Sequence, residues 1–350
     1  MGRSGRSRRV VRVLAANAAV FAALLLALEG AVRVARPDVG PAGSEAALLV
    51  DSAFVDAEGR TPGLRPGAVG RANGETVRVD GSGYHLLAGN VTAPDSAGVW
   101  LWLGDSVLFG LGVPADSGLA GRVALAQDTA RALSPAVLGW GTQDYRRRLD
   151  AALRAGLRPA RVTVVWCLND ADPGRPSAPG TVPLLVDWRR KATVWLNAHS
   201  RLYRLAKGVA LDRPARYYAY DRTFYEPLAE VERPPARADT ALAHLRAVAD
   251  TLAARDIPLD VVVVPYEPQL RPGGDALPQE VLVPRLRSWG LPVLDLLPAF
   301  RAAGGEPERL YLWSDGIHLS AAGHAVAASA VARWEPHSPP SVRPPETAPD

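Results

Sequence analysis

From Val99 onward the chain alternates short apolar runs with stretches of helical periodicity, and this alternation limits its fold more than any other feature. The runs fall at 98–104 ("GVWLWLG"), 136–139 ("AVLG"), 161–167 ("RVTVVWC"), 259–265 ("LDVVVVP") and 292–295 ("PVLD"). Each is too short for a helix, and most are apolar almost throughout, as strands covered on both faces must be. Between them 117–132, 143–156 and 239–255 carry helical periodicity, and a last helix follows Ser320, its N-cap. Such a rhythm predicts an α/β domain on a mainly parallel sheet with helices over both faces. In sheets of this type, function collects beyond the carboxyl ends of the strands.

The first run stops at Gly104, Asp105 and Ser106 and passes into a glycine-rich loop. A serine there is either part of a turn or a nucleophile, and the second role needs a base. Of the six histidines, His337 lies in the tail, His244 on an amphipathic helix, and His85 and His199 in peripheral apolar segments. His318 is different: it falls in "LWSDGIHLSAAGH", three residues after Asp315 across a turn containing Gly316. A carboxylate at that spacing can accept a hydrogen bond from Nδ1 and leave Nε2 free to take a proton. The competing reading is an Asp-Gly turn followed by a helix cap. His324, on the helix itself, reads as structural. An oriented imidazole is what a serine hydroxyl requires in order to attack at neutral pH. No Gly-x-Ser-x-Gly stretch occurs, so the elbow of the α/β-hydrolases is absent.

Acyl transfer also needs donors for an oxyanion, each contributing on the order of 3 kcal/mol to the transition state. Asn169, in "VVWCLNDAD", ends the third run, and "VLGWGTQDY" continues the second with Gly139 and Gly141. Asn-Asp after a strand is also ordinary turn chemistry. The set gains weight from its order at successive strand ends.

Taken together these stretches resemble the SGNH (GDSL-type) hydrolase family, in a membrane-anchored bacterial form. "LGDSVLFGLGV" is similar to the first block, which makes Ser106 the nucleophile and its backbone N–H an oxyanion donor. "WCLND" resembles the third block, with Asn169 as side-chain donor, and "DGIHLSAAGH" the fifth, with Asp315 and His318 completing a triad. "GWGTQDY" resembles the second block in either of two registers, one placing Ala136 at the donor position and the other Gly139. The resemblance covers roughly residues 97–332. It implies a three-layer, flavodoxin-like sandwich with a five-stranded mainly parallel sheet, and chemistry needing neither metal nor organic cofactor.

The net charge of +4 is accounted for at the amino terminus, where Arg3, Arg6, Arg8, Arg9 and Arg12 cluster. The remainder carries no excess of positive charge, which argues against a nucleic-acid partner. A mostly apolar stretch comes next, Val13 to Leu28; counted from Val10 to Val32 it matches the ~20 residues a bilayer requires. "LALEGAVRVA" offers poor cleavage sites, so the segment reads as an uncleaved signal-anchor helix, with a twin-arginine signal in "SRRVV" the competing reading. The positive-inside rule then places everything after about Pro37 outside the cytoplasm, in the cell envelope. A lone Cys167 permits no intramolecular disulfide, and its apolar run makes it a buried strand residue.

The resulting layout is a basic segment and anchor helix at 1–36, a connector with small β elements at 37–97, a hydrolase-like domain at 98–334 and a proline-rich, disordered tail at 335–350. A Gly-rich turn in "TVRVDGSGYHLLAGNV" suggests a hairpin in the connector, and 171–237 is a helical, aromatic insertion, with one helix around 186–210, that reads as a lid or as packing. Three functions are compatible with this organisation. The first is a serine esterase acting on acyl or acetyl esters of an envelope glycan or lipid. The second is an O-acetyltransferase modifying exported polysaccharide, partnered by a membrane acyltransferase. The third is a non-catalytic glycan-binding protein that retains the fold.

Overall fold

The computed structural model describes residues 3–40, 50–51, 55–56, 59–60, 63–89, 98–126, 130–172, 184–230 and 234–334. The proline-rich tail, most of "DPGRPSAPG" and much of the connector lie outside them. The chain divides into two compact units: 1–43 with 180–211, and 44–179 with 212–350.

The larger unit is built on β3 (Gly98–Leu103), β4 (Ala130–Leu133), β5 (Arg161–Trp166), β6 (Leu259–Val263) and β7 (Val293–Asp295), with the hairpin strands β1 (Val69–Ala72) and β2 (Glu75–Arg78) before them. The five lie in one parallel sheet in the order β7-β6-β5-β3-β4. Counted along the sheet this is the 2-1-3-4-5 order of flavodoxin-like folds, whose direction switches between the first and third strands. Every residue of β5 and β6 is buried, so both faces of the sheet are covered.

Helix α1 spans Arg3–Ala35; α2 is Ser106–Phe109, α3 Leu119–Ala126 and α4 Thr142–Arg154. The chain leaves β3 outward to β4 through α3 and returns across β3 to β5 through α4. Because parallel crossovers are right-handed, opposite directions of travel put α3 and α4 on opposite faces. Between β5 and β6 come α5 (Leu184–His199), α6 (Arg201–Ala210), α7 (Arg213–Arg222) and α8 (Arg237–Ala253). After β6 come α9 (Leu277–Ser288), α10 (Leu297–Ala302) and α11 (Ala321–Arg333). Helix α4 packs on α8, and α3 on α11. Inside the sheet Arg161 pairs with Asp260, and the Trp100 indole donates to Thr163 Oγ1 at 2.7 Å.

Three expectations are corrected here. The second strand is 130–133, not 136–139, so the helix expected over 117–132 does not reach its last residues; the described part of it is α3, Leu119–Ala126. "ARAL" has no β-branched residue and reads as helix by propensity, but it pairs with β3 from Gly98 to Leu101, and the tertiary context wins. The next stretch, "SPAVLGW", cannot continue the ladder: Pro135 lacks an N–H, and Gly139 sits at φ 79°. In the connector a two-stranded hairpin turns at Asn73-Gly74, ahead of "DGSG", with φ of 47° and 90° at the two turn residues. "DGSG" is a second turn, closed by the antiparallel bridge Val79–His85, by the Asp80 N–H donating to the Tyr84 carbonyl at 2.8 Å and by the Leu86 N–H donating to the Arg78 carbonyl at 2.9 Å. Finally, the single helix expected across 186–210 is two helices, because Ser200 caps α6 by accepting from the Tyr203 N–H at 3.0 Å.

Candidate active site

Helix α2 begins just beyond the apolar strand β3, and Asp105 at the junction is its N-cap. One carboxylate oxygen accepts the Val107 N–H at 2.9 Å. Ser106 is therefore the first residue of a helix, and its own N–H is one of those that a helix leaves without an internal acceptor. Gly110 ends the turn in the left-handed conformation, so the serine is held between two caps.

The second half of the site comes from the loop before α11. Asp315 Oδ1 accepts the backbone N–H of Ile317 at 3.1 Å and of His318 at 2.8 Å, which folds the loop around the carboxylate. The Gly316 φ is 74°, and a Cβ there would stand 2.4 Å from the Cβ of Pro214, so only glycine fits. Its carbonyl accepts the Glu267 N–H at 2.9 Å, tying the loop to the segment after β6. Ser320 caps α11 through the Gly323 N–H at 3.2 Å.

These two halves meet. His318 Nδ1 lies 2.8 Å from Asp315 Oδ1, and Nε2 lies 2.8 Å from Ser106 Oγ. With Nδ1–H donating to the carboxylate, Nε2 is the acceptor for the serine proton. The hydroxyl has one proton to give; its 3.4 Å approach to Asp105 is the longer contact. Burial works against charge on His318, but the Asp315 carboxylate and its hydrogen bond, with the charge of Asp105, outweigh it and hold the imidazole above its usual value. Burial likewise pushes Asp315 up, while His318 and the two backbone N–H groups pull it below the ordinary carboxylate range.

Asn169 lies in the turn Leu168–Ala171 that follows β5, at the topological switch beside β3. Its Nδ2 donates to Asp105 at 3.3 Å, while its Oδ1 is buried with no partner. Behind it the turn is clamped at several points. Asp170 accepts from the Cys167 N–H at 2.8 Å and from the Tyr145 hydroxyl at 2.7 Å. The Tyr225 hydroxyl donates to the Leu168 carbonyl at 2.8 Å and accepts from the Trp166 indole at 2.9 Å. Burial, followed by the neighbouring charge of Asp105, raises Asp170 well above the ordinary carboxylate value. Asp105 is itself raised, by its complete burial.

The second-block residues are less engaged. Ala136 is fully buried, with its carbonyl 3.3 Å from His85 Nε2. Gly139 is exposed on a turn. Among the described residues, no hydrogen bond ties either one to Ser106, Asn169, Asp315 or His318. Burial lowers His85 to about 4 and His324 to about 3, so both stay neutral; His324 Nδ1 accepts the Leu119 N–H at 3.2 Å. Cys167 is buried, and burial pushes its thiol well up, which makes it inert.

Asp105, Asp170, Tyr145 and Tyr225 are supports that sequence reasoning missed. Asp170 had a readable signal, its capping spacing three residues after Cys167. The tyrosines come from α4 and from the segment after α7, and nothing local marks them. No cluster of His, Cys, Asp and Glu suited to a metal occurs among the described residues.

No protein-family model matches the chain, and no curated protein matches it. Solved structures do match. One is a member of the lipolytic G-D-S-L family from Veillonella parvula (13% identity, TM-score 0.42, covering 67% of this chain and 97% of that one). Another is an acetylxylan esterase from Geobacillus stearothermophilus, as a catalytic mutant (16% identity, TM-score 0.41, 67% and 93%). A third is a psychrotrophic esterase from Pseudoalteromonas sp. (12% identity, TM-score 0.39, 67% and 94%).

Proposed function

We propose that the chain is a serine ester hydrolase of the SGNH type, and the observation that carries this reading is the continuous relay Asp315–His318–Ser106 at the sheet's carboxyl edge. Ser106 Oγ attacks the ester carbonyl carbon while His318 Nε2 takes its proton, and Asp315 stabilises the imidazolium that forms. The tetrahedral oxyanion is held by the Ser106 N–H, the Asn169 side-chain amide and an N–H from the Gly139 region. The bond to the leaving oxygen then breaks, and His318 returns the proton to that oxygen. Water attacks the acyl-Ser106 ester, gives its proton to His318, and releases the acid as Oγ regains a proton.

The substrate class proposed is an acyl or acetyl ester on a cell-envelope glycan or lipid. The helix Val11–Ala35 is long and apolar enough to cross a membrane, which supports an anchored enzyme, and the arginines before it favour a catalytic unit outside the cytoplasm. Transfer to a sugar hydroxyl instead of water is the second reading. It is favoured by Tyr217 and Tyr220, exposed on the same helix whose Pro214 abuts Gly316. The test is acetyl release from p-nitrophenyl acetate by the purified chain, with and without a glycan acceptor. Ser106→Ala is expected to lower turnover by about 10⁴-fold or more. Undiminished turnover overturns the reading, and acceptor-dependent acetylation selects transferase over esterase.

A further inference from the structure

In the smaller unit the apolar helix α1 does not stand alone. Glu29, six residues before its end, accepts from Ser200 Oγ at 2.9 Å, from the Arg201 N–H at 3.0 Å and from the Leu202 N–H at 2.9 Å. One carboxylate thus caps the amino terminus of α6. The Arg33 guanidinium donates to the His199 carbonyl at 2.9 Å, and Arg201 donates back to the Arg33 carbonyl at 3.3 Å. Glu29 directly follows the apolar run Val13–Leu28, so in a helix that spans a bilayer it stands where hydrocarbon gives way to headgroups. The junction of α5 and α6 is therefore pinned to α1 beside Glu29 and Arg33.

The composition of these two helices suits the same location. Between Asp187 and Asp212 there is no acidic residue, while Arg189, Arg190, Lys191, Arg201, Arg204 and Lys207 supply six cations. Both lysines of the whole chain are among them. On the same two helices large apolar groups stand in the open: Val194 is 61% exposed, Trp195 59% and Val209 76%. Trp195 stacks on His199, an arrangement with an apolar body and a polar edge such as headgroup layers favour. Water is a poor partner for these exposed apolar groups, and an anionic lipid surface takes them up while attracting the net positive charge of the two helices.

We propose that α5 and α6 form a second membrane contact, a basic amphipathic pair lying in the headgroup layer where α1 emerges and binding anionic phospholipid. The proposal rests on α1 spanning the membrane and is independent of the catalytic reading. It is tested on the full chain reconstituted in vesicles, with an environment-sensitive fluorophore on Val194→Cys, on Leu24→Cys within α1, or on Val69→Cys in the larger unit. The native Cys167 is buried and does not compete for label. In phosphatidylglycerol-containing vesicles, shallow spin-labelled lipid is expected to quench the label at 194 about threefold more than the label at 69. That excess is expected to fall in neutral vesicles and in the Lys191→Gln/Lys207→Gln variant. Quenching at 24 by deep spin label with no excess at 194 overturns the surface contact and leaves the span intact. No quenching at either position overturns both, and an excess indifferent to lipid charge overturns the anionic preference.

Discussion

At the scale of single residues, the site is a matter of where one proton sits. His318 accepts from Ser106 only when its Nε2 is unprotonated, and Asp315 raises the pH at which that becomes true. The rate of ester hydrolysis is therefore expected to fall on the acid side with a midpoint above the ~6.5 of free histidine. Asp315→Asn removes the charge, so that midpoint is expected to shift downward while turnover drops by up to about 10⁴-fold. A pH–rate profile of both proteins checks the sign. A midpoint unmoved by the substitution would contradict the pairing. That Ser106, His318 and Asp315 would come together was legible in the sequence, because Asp315 stands three residues before His318 across a glycine turn and Ser106 directly follows an apolar strand. Gly139 and Ala136 were not separable, since a backbone N–H donor leaves no chemical mark on the side chain beside it.

At the scale of elements, the loop leading into α11 shows how local geometry holds His318 in place. Gly316 is confined by Pro214 of α7 and by its left-handed φ, so Gly316→Ala must displace either the loop or the helix. The expected result is a fall in kcat of about 10- to 100-fold, with the fold intact by circular dichroism. The same scale is where the sequence misled. The strand at 130–133 carries no β-branched residue, and its identity comes from pairing with β3, a partner some thirty residues earlier that propensity does not see. Asn73-Gly74 could have been read, because a two-residue Asn-Gly loop between alternating positions is a hairpin signal in its own right. The break at Ser200 has a local cause, its own hydroxyl capping α6, and Glu29, far off in the chain, accepts from the same residue.

At the scale of the whole molecule, the parallel order of the sheet was legible in the rhythm of apolar runs, and the switch point places Ser106 and Asn169 at the ends of adjacent strands without further design. The interior also contains what periodicity cannot announce, a buried Arg161–Asp260 pair inside the sheet. Asp260→Ala leaves the guanidinium buried without its partner, and thermal or denaturant unfolding is expected to record a loss of about 3–5 kcal/mol. A loss under about 1 kcal/mol would mean that the pair contributes no more than an exposed one. The claim on which everything else turns is that Ser106 is an activated nucleophile. Labelling the folded chain with a fluorophosphonate and mapping the modified peptide measures this directly. One adduct is expected, on Ser106, abolished by Ser106→Ala and strongly slowed by His318→Ala. A folded chain that takes no label, or takes it elsewhere, would contradict it.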